Sequence, residues 1–321
     1  MLFKKGDTVM VQHLEDDVAR HFVGARELQY GETPEAEPGG QCYDPFECPF
    51  HSLCLPEPPE YPLSLLPGKN GKALARRLVD EGYTDLREVP ANAFDDPLFR
   101  RIHTATVSGE PFLDPKAKEI LARTAWPHFY LDFETAGFAV PVWAGTRAFQ
   151  AVPFQWSCHV ETAPGKLEHA EFLDTTGEHP ARRFAETLID TLGRTGTIFV
   201  YSGYERRILS ELARQHLDLA DSLAVIIGRL FDLLPLTKAH YYHPEMKGSW
   251  SIKDVLPTVA PELDYGQLGE VCDGTSAQSS FAEILDPGVP MERKRSLTTD
   301  LREYCRMDTM AMYQLSKFLE A

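Results

Sequence analysis

The run His128-Phe129-Tyr130-Leu131 is apolar and aromatic and leads straight into Asp132-Phe133-Glu134. Such a run predicts a buried strand. Residues two apart on a strand point to the same face, so Asp132 and Glu134 can chelate together. A second apolar run, Gly196-Thr197-Ile198-Phe199-Val200-Tyr201, predicts another strand. It stops at Ser202-Gly203, and a helical pattern follows through Ile208, Leu209 and Leu212, which puts Glu205 in the first helical turn. Near the end of the chain Tyr304 and Asp308 are four apart, one above the other on a helix face. Three elements can thus bring four carboxylates and a phenol to one point. Taken singly, an Asp-x-Glu, a Glu in a helix or a terminal Asp is an ordinary solvated group. In this joint order they read as ligands for a pair of divalent metals, the equipment for hydrolysing phosphodiester bonds.

From Trp126 onward the chain resembles an RNase H-like exonuclease of the DEDD group, in the subgroup with a tyrosine in the last motif. The resemblance rests on the stretches 129–135, 152–157, 200–209, 231–234, 248–253 and 304–309. More narrowly, it is similar to a bacterial family that joins a RecB-like nuclease module with a cysteine cluster to such a domain. The implied fold is α/β, an RNase H-like mixed sheet flanked by helices. The implied activity is 3′-to-5′ exonucleolytic hydrolysis of nucleic acid with two Mg²⁺ or Mn²⁺ ions. One departure is plain: the group has Asp in the second motif, where this chain has Glu205. Glutamate is one methylene longer, and Mg²⁺ demands near-octahedral geometry, so a displaced carboxylate favours Mn²⁺ or weakens activity.

On that resemblance Asp132, Glu134, Glu205 and Asp308 are the metal ligands, with Asp132 bridging, and Tyr304 orients the attacking water. A phenol with a pKa near 10 is a poor base at neutral pH. Lys253 is either a phosphate contact or an exposed lysine at a helix start. Asp232, after Leu230-Phe231, is either a further carboxylate of the site or a helix cap. In the irregular segment 139–150 and the strand after it, Trp143, Phe149 and Phe154 either stack on bases or belong to the core, and Arg147 can pair with phosphate.

The second feature is Cys42, Cys48 and Cys54 in a C-x5-C-x5-C pattern that includes His51. Clustered cysteines in a cytosolic protein read as metal ligands more readily than as disulfides. The segment resembles the terminal cysteine group of iron-sulfur RecB-like nucleases, in which a fourth cysteine comes from far upstream. No cysteine precedes Cys42, so residues 1–60 are expected to be a remnant of that module, with two short strands or a strand and a helix. The cluster holds a [4Fe–4S] centre with an unusual fourth ligand, or zinc with His51 as that ligand, or nothing. Cys158, Cys272 and Cys305 are isolated and read as packing residues.

The net charge of −16 argues against a broad electrostatic grip on duplex nucleic acid. It suits a site that holds a few nucleotides at a single-stranded end. No apolar run is long enough to cross a bilayer, and the first residues lack the apolar segment of a signal peptide. The expectation is a cytoplasmic protein without a membrane partner, working beside a separate nuclease or helicase subunit.

Three parts are expected: residues 1–60 with the cysteines, a helical connector over 61–125, and the exonuclease-like domain over 126–321. Within the connector the stretch 65–78, followed by Gly82-Tyr83-Thr84-Asp85-Leu86, resembles a helix-hairpin-helix; an ordinary helical connector is the alternative. Strands are expected near 128–133, 150–160, 167–173 and 196–202. Helices are expected near 180–193, 204–216, 251–257 and 298–320, with an insertion over 266–296. Two other functions fit the same residues: a nucleic-acid-binding or scaffold module with a decayed site, and a hydrolase of small nucleotides.

Overall fold

A computed structural model describes residues 7–31 and 58–321, without the side chains of residues 7–16 and 28–29. The chain divides into two units, Met1–Glu60 and Tyr61–Ala321. In the first, Asp7–Tyr30 form one helix, α1, of 24 residues. Of the elements expected over 1–60, two short strands or a strand and a helix, the described residues show the helix. Cys42, Cys48, His51 and Cys54 lie outside the described residues. Among the described residues no helix is long and apolar enough to cross a membrane.

The second unit is α/β, built on a five-stranded mixed sheet flanked by helices. Its strands are β2 (His128–Ala136), β3 (Val152–Ala163), β4 (Lys166–Leu173), β5 (Thr197–Val200) and β6 (Leu230–Asp232), in the order β4-β3-β2-β5-β6. The β2–β3 and β3–β4 pairs are antiparallel, whereas β2–β5 and β5–β6 are parallel. Phe112–Leu113 (β1) and Tyr241–Tyr242 (β7) form a separate two-stranded pair. The helices are α2 (Gly68–Asp80), α3 (Pro97–Ser108), α4 (Lys116–Leu121), α5 (Ala181–Leu192), α6 (Tyr204–Gln215), α7 (Ala220–Gly228), α8 (Leu233–His240), α9 (Ile252–Val259), α10 (Gly274–Leu285) and α11 (Met291–Glu320).

Local chemistry accounts for several of these boundaries. Asp96 accepts from the Leu98 amide at 2.8 Å and Pro97 occupies the first turn of α3, while Gly109 closes the helix with φ 74°. In α5 the buried residues Phe184, Leu188 and Leu192 recur every four positions, so one stripe faces the sheet. That stripe meets the face of β2 and β3 carrying Phe129, Leu131, Phe133 and Trp156. Phe133 stands edge-on to Phe184 with ring centres 4.8 Å apart. The Trp156 indole donates to Thr187 Oγ1 at 3.1 Å.

The opposite face of the sheet is polar, and α11 covers it. On β3 the alternate residues Gln155, Ser157, His159 and Glu161 are all buried. Each finds a partner on the helix or through it. Gln155 Nε2 donates to the Leu301 carbonyl at 2.8 Å. Ser157 and His159 share the Thr309 hydroxyl, at 3.1 and 2.8 Å. Glu161 pairs with Lys317 at 2.8 Å. On β2 the Tyr130 hydroxyl bonds Ser316 Oγ at 2.8 Å.

Residues 61–125, expected as a connector, pack as part of this same unit. Leu66, Leu78, Phe94 and Ile102 share one core with Tyr130, Tyr242, Trp250 and Met312. The helix-hairpin-helix expectation meets a single full helix, α2, between 3₁₀ turns at Leu63–Leu65 and Leu86–Glu88. The backbones approach closely at Gly248, which has φ 76° and where a Cβ would lie 1.9 Å from the Leu65 carbonyl oxygen. Gly248→Ala is therefore expected to lower stability by roughly 1–3 kcal/mol, through both strain and displaced backbone. Urea denaturation of the variant against the parent chain measures it.

Candidate metal centre

The register of β2 sets the first half of the site. Asp132 lies opposite Ser157 and Glu134 opposite Gln155, both on the face covered by α11, and a bulge follows Glu134. Parallel strand β5 ends beside them at Val200. The turn beyond it is held by Asp232, whose Oδ1 accepts from the amides of Ser202 and Leu234, each at 2.9 Å. Ser202, with φ 119°, is thereby fixed in a conformation few residues adopt. Helix α6 then starts, and Glu205 in its first turn is buried. Tyr204 and Thr135 tie this turn to the end of β2 through a 2.5 Å hydroxyl–hydroxyl bond. The fourth carboxylate, Asp308, comes from α11 and is also buried. The site thus sits at the carboxyl ends of β2, β5 and β6, where open α/β sheets bind ligands.

The four carboxylates feel one another. Burial raises Asp132 well above the usual carboxylate range, with Asp308, Glu134 and Glu205 adding repulsion. Burial and Asp308 push Glu134 up to about 8, against the pull of Lys253. Burial also pushes Glu205 up to about 8, with Asp232 and Asp308 contributing. Asp308 rises least, to about 6, because burial is opposed by the Tyr265 hydroxyl and by Lys253. Among the described residues none of the four forms an ion pair within 4 Å.

Within this set Asp132 and Glu134, with Cys305 beside them, are placed to share one divalent cation. Donor atoms of Asp132, Glu134 and Cys305 all lie within 4.8 Å of one another. Glu205 Oε2 is buried without a hydrogen-bond partner. A hard cation on carboxylate oxygens supplies the charge that this site lacks.

The remaining sequence expectations divide. Tyr304 is buried one helical turn before Asp308, and burial with Asp308 and Glu134 beside it pushes its phenol far up. Lys253, in the first turn of α9, lies 4.9 Å from the Tyr304 ring centre and donates to the Cys272 carbonyl at 2.5 Å. Asp232 acts as the cap of α8 and as the clamp on Ser202, which is the capping alternative. Trp143 and Phe154 are corrected from base-stacking residues to core. Phe154 is fully buried and stacks on Phe281 at 3.8 Å. Trp143 packs in the same core and donates to the Gly177 carbonyl at 3.0 Å. Of the three aromatics only Phe149 is exposed, at 75 %. Arg147 is exposed and lines a shallow cleft of about 440 Å³ with His179, Glu211 and His216; none of the four carboxylates lines it.

Two neighbours of the carboxylates escaped the sequence reading. Cys305, read as a packing residue, is buried but offers its thiol to Asp132 Oδ2 at 3.5 Å. Its place between Tyr304 and Arg306 was a usable signal. Tyr265 donates to Asp308 Oδ1 at 2.5 Å. It comes from the segment between α9 and α10, where no periodicity marks it.

Residues 129–251 match the family described as a domain of unknown function, DUF2779. The matched stretch includes Asp132, Glu134, Glu205 and Asp232 and ends before Lys253, Tyr304 and Asp308. No curated protein and no solved structure matches the chain.

Two measurements test the site as built. Phe154→Ala is expected to cost about 3–5 kcal/mol of stability, whereas Arg147→Ala stays within about 0.5 kcal/mol; urea denaturation separates the two. In a chelator, the folded protein holds protons on Glu134 and Glu205 up to about pH 8 that the unfolded chain releases near 4.5. Stability therefore falls as pH rises through that window, by roughly 2–4 kcal/mol. Glu134→Gln flattens the slope, as read from denaturation midpoints at pH 5 and pH 8.

Proposed function

We propose that the protein is a metal-dependent nuclease that hydrolyses phosphodiester bonds of single-stranded nucleic acid from an end, in the 3′-to-5′ direction that the DEDD resemblance implies. The observation that carries this reading is the convergence of four carboxylates from β2, α6 and α11, three of them buried and all raised above the usual carboxylate range by burial and mutual repulsion. The mixed sheet, with three antiparallel and two parallel strands and the carboxylates at its parallel junction, supports the RNase H-like part of the reading.

On this reading Asp132, Glu134, Glu205 and Asp308 hold two Mg²⁺ or Mn²⁺ ions. When bound, these supply an activated water and the charge that stabilises the leaving oxygen. The chain's own groups do the rest. Burial, with Asp308 and Glu134 beside it, pushes the Tyr304 phenol up, which suits a hydrogen-bond donor that orients the attacking water. Lys253 sits beside the Tyr304 ring, where its charge can meet a non-bridging phosphate oxygen. Phe149 is the exposed ring available to a terminal base, and Arg147 the exposed cation of the same loop. Glu205 replaces a shorter aspartate, and its unpartnered Oε2 is the atom that must reach the ion.

The test is hydrolysis of end-labelled single-stranded DNA and RNA with Mn²⁺ or Mg²⁺. The parent chain is expected to shorten one polymer stepwise. Asp132→Ala and Asp308→Ala are each expected to lower the rate about 10²-fold or more. No metal-dependent shortening by the parent chain overturns the reading in favour of a binding module. Cleavage confined to dinucleotides or free nucleotides moves it to a small-nucleotide hydrolase.

A further inference from the structure

We infer that Tyr265 is a positioning residue for the metal centre: its hydroxyl fixes the orientation of the Asp308 carboxylate. The inference rests on the nuclease reading and adds to it a residue from outside all three motifs.

Tyr265 donates to Asp308 Oδ1 at 2.5 Å. That bond fixes one carboxylate oxygen of Asp308 and with it the orientation of the group. An aspartate on a helix has two side-chain torsions, and the backbone alone does not set the second. A hydrogen bond to an ionised carboxylate is short and strong, and sets that torsion.

The segment that carries Tyr265 is braced against the same helix. Leu263 and Tyr265 pack on Leu256 of α9, on Ala260 at its C-terminal cap and on Ala311 of α11. Asp264 caps the short turn at Tyr265 by accepting from the Gly266 amide at 2.8 Å. Further along, Gly269 lies so close to Asp300 of α11 that a Cβ would come within 2.5 Å of its Oδ1. Glu270 then grips Arg293 with bonds of 2.5 and 2.7 Å. Finally the Cys272 carbonyl accepts from Lys253, whose Nζ also lies 5.4 Å from the Tyr265 ring centre. The segment is thus anchored at three places along α11 and at two on α9, with Tyr265 at the anchor that reaches the site. A residue held this firmly, with its one polar atom on a candidate ligand, has the geometry of an outer partner of a metal site. Such partners contribute about 10- to 100-fold in metal affinity.

The test is Mn²⁺ binding by isothermal titration calorimetry on the full chain, comparing the parent with Tyr265→Phe and Tyr304→Phe. Tyr265→Phe keeps the ring and its packing and removes only the hydroxyl, and circular dichroism confirms that it folds. Its Mn²⁺ affinity is expected to fall about tenfold or more, and its cleavage of single strands to recover at correspondingly higher Mn²⁺. Tyr304→Phe, which removes a second hydroxyl beside Asp308, is expected to lower the affinity less than Tyr265→Phe does. A Tyr265→Phe affinity within twofold of the parent overturns the inference while leaving the nuclease reading intact. A parent chain that binds no Mn²⁺ overturns both.

Discussion

The packing of α11 across a polar sheet face is the constraint on which the rest of the second unit depends. Most helices cover sheets with an apolar stripe. Here a row of Gln155, Ser157, His159 and Glu161 on β3, and of Tyr130, Asp132 and Glu134 on β2, lies under the helix. Burying polar groups costs free energy unless each is partnered. Hence α11 answers them one by one, with the Leu301 carbonyl, Thr309, Ser316 and Lys317. Such matching tolerates no slip in register, since a shift of one helical residue breaks all four contacts together. Specificity of docking, more than strength, is what a polar seam provides.

The carboxylates are the part of that seam left unanswered. Asp132, Glu134, Glu205 and Asp308 repel one another, and Asp308 is supported by the Tyr265 hydroxyl. The apolar contacts elsewhere hold them there: the Phe133–Phe184 and Phe154–Phe281 packing beneath β2 and β3, and the second core joining residues 61–125 to Tyr130 and Trp250. A fold that tolerates mutual repulsion in one place and compensates in another is the usual signature of a site kept for a ligand.

Much of this was legible from residues. The apolar run into Asp132 marked β2, and the strand-to-helix break at Ser202-Gly203 placed Glu205 in the first turn of α6. The spacing of Tyr304 and Asp308 put both on one helix. Other features were not. Alternation of polar and apolar residues along β3 reads as a strand wet on one face, yet the wet face is closed by a helix far away in sequence. Trp143 and Phe154 look the same in sequence as aromatics that stack on bases; only the positions of Gly177 and Phe281 make them core. Strand β6 has three residues, too few for a period to show. Tyr265 meets Asp308 across 43 residues from an irregular segment, and nothing local announces the pairing.

The seam has one more consequence, for how the chain becomes competent. Cys305 meets Asp132 across 173 residues. Loop closure over such a span comes late in folding, after local elements have formed. A chain that has built β2, β3 and β5 but not yet laid down α11 carries Asp132 and Glu134 on an open, hydrated strand face, with one side of their enclosure missing. The carboxylate cluster is completed only by the arrival of the final helix.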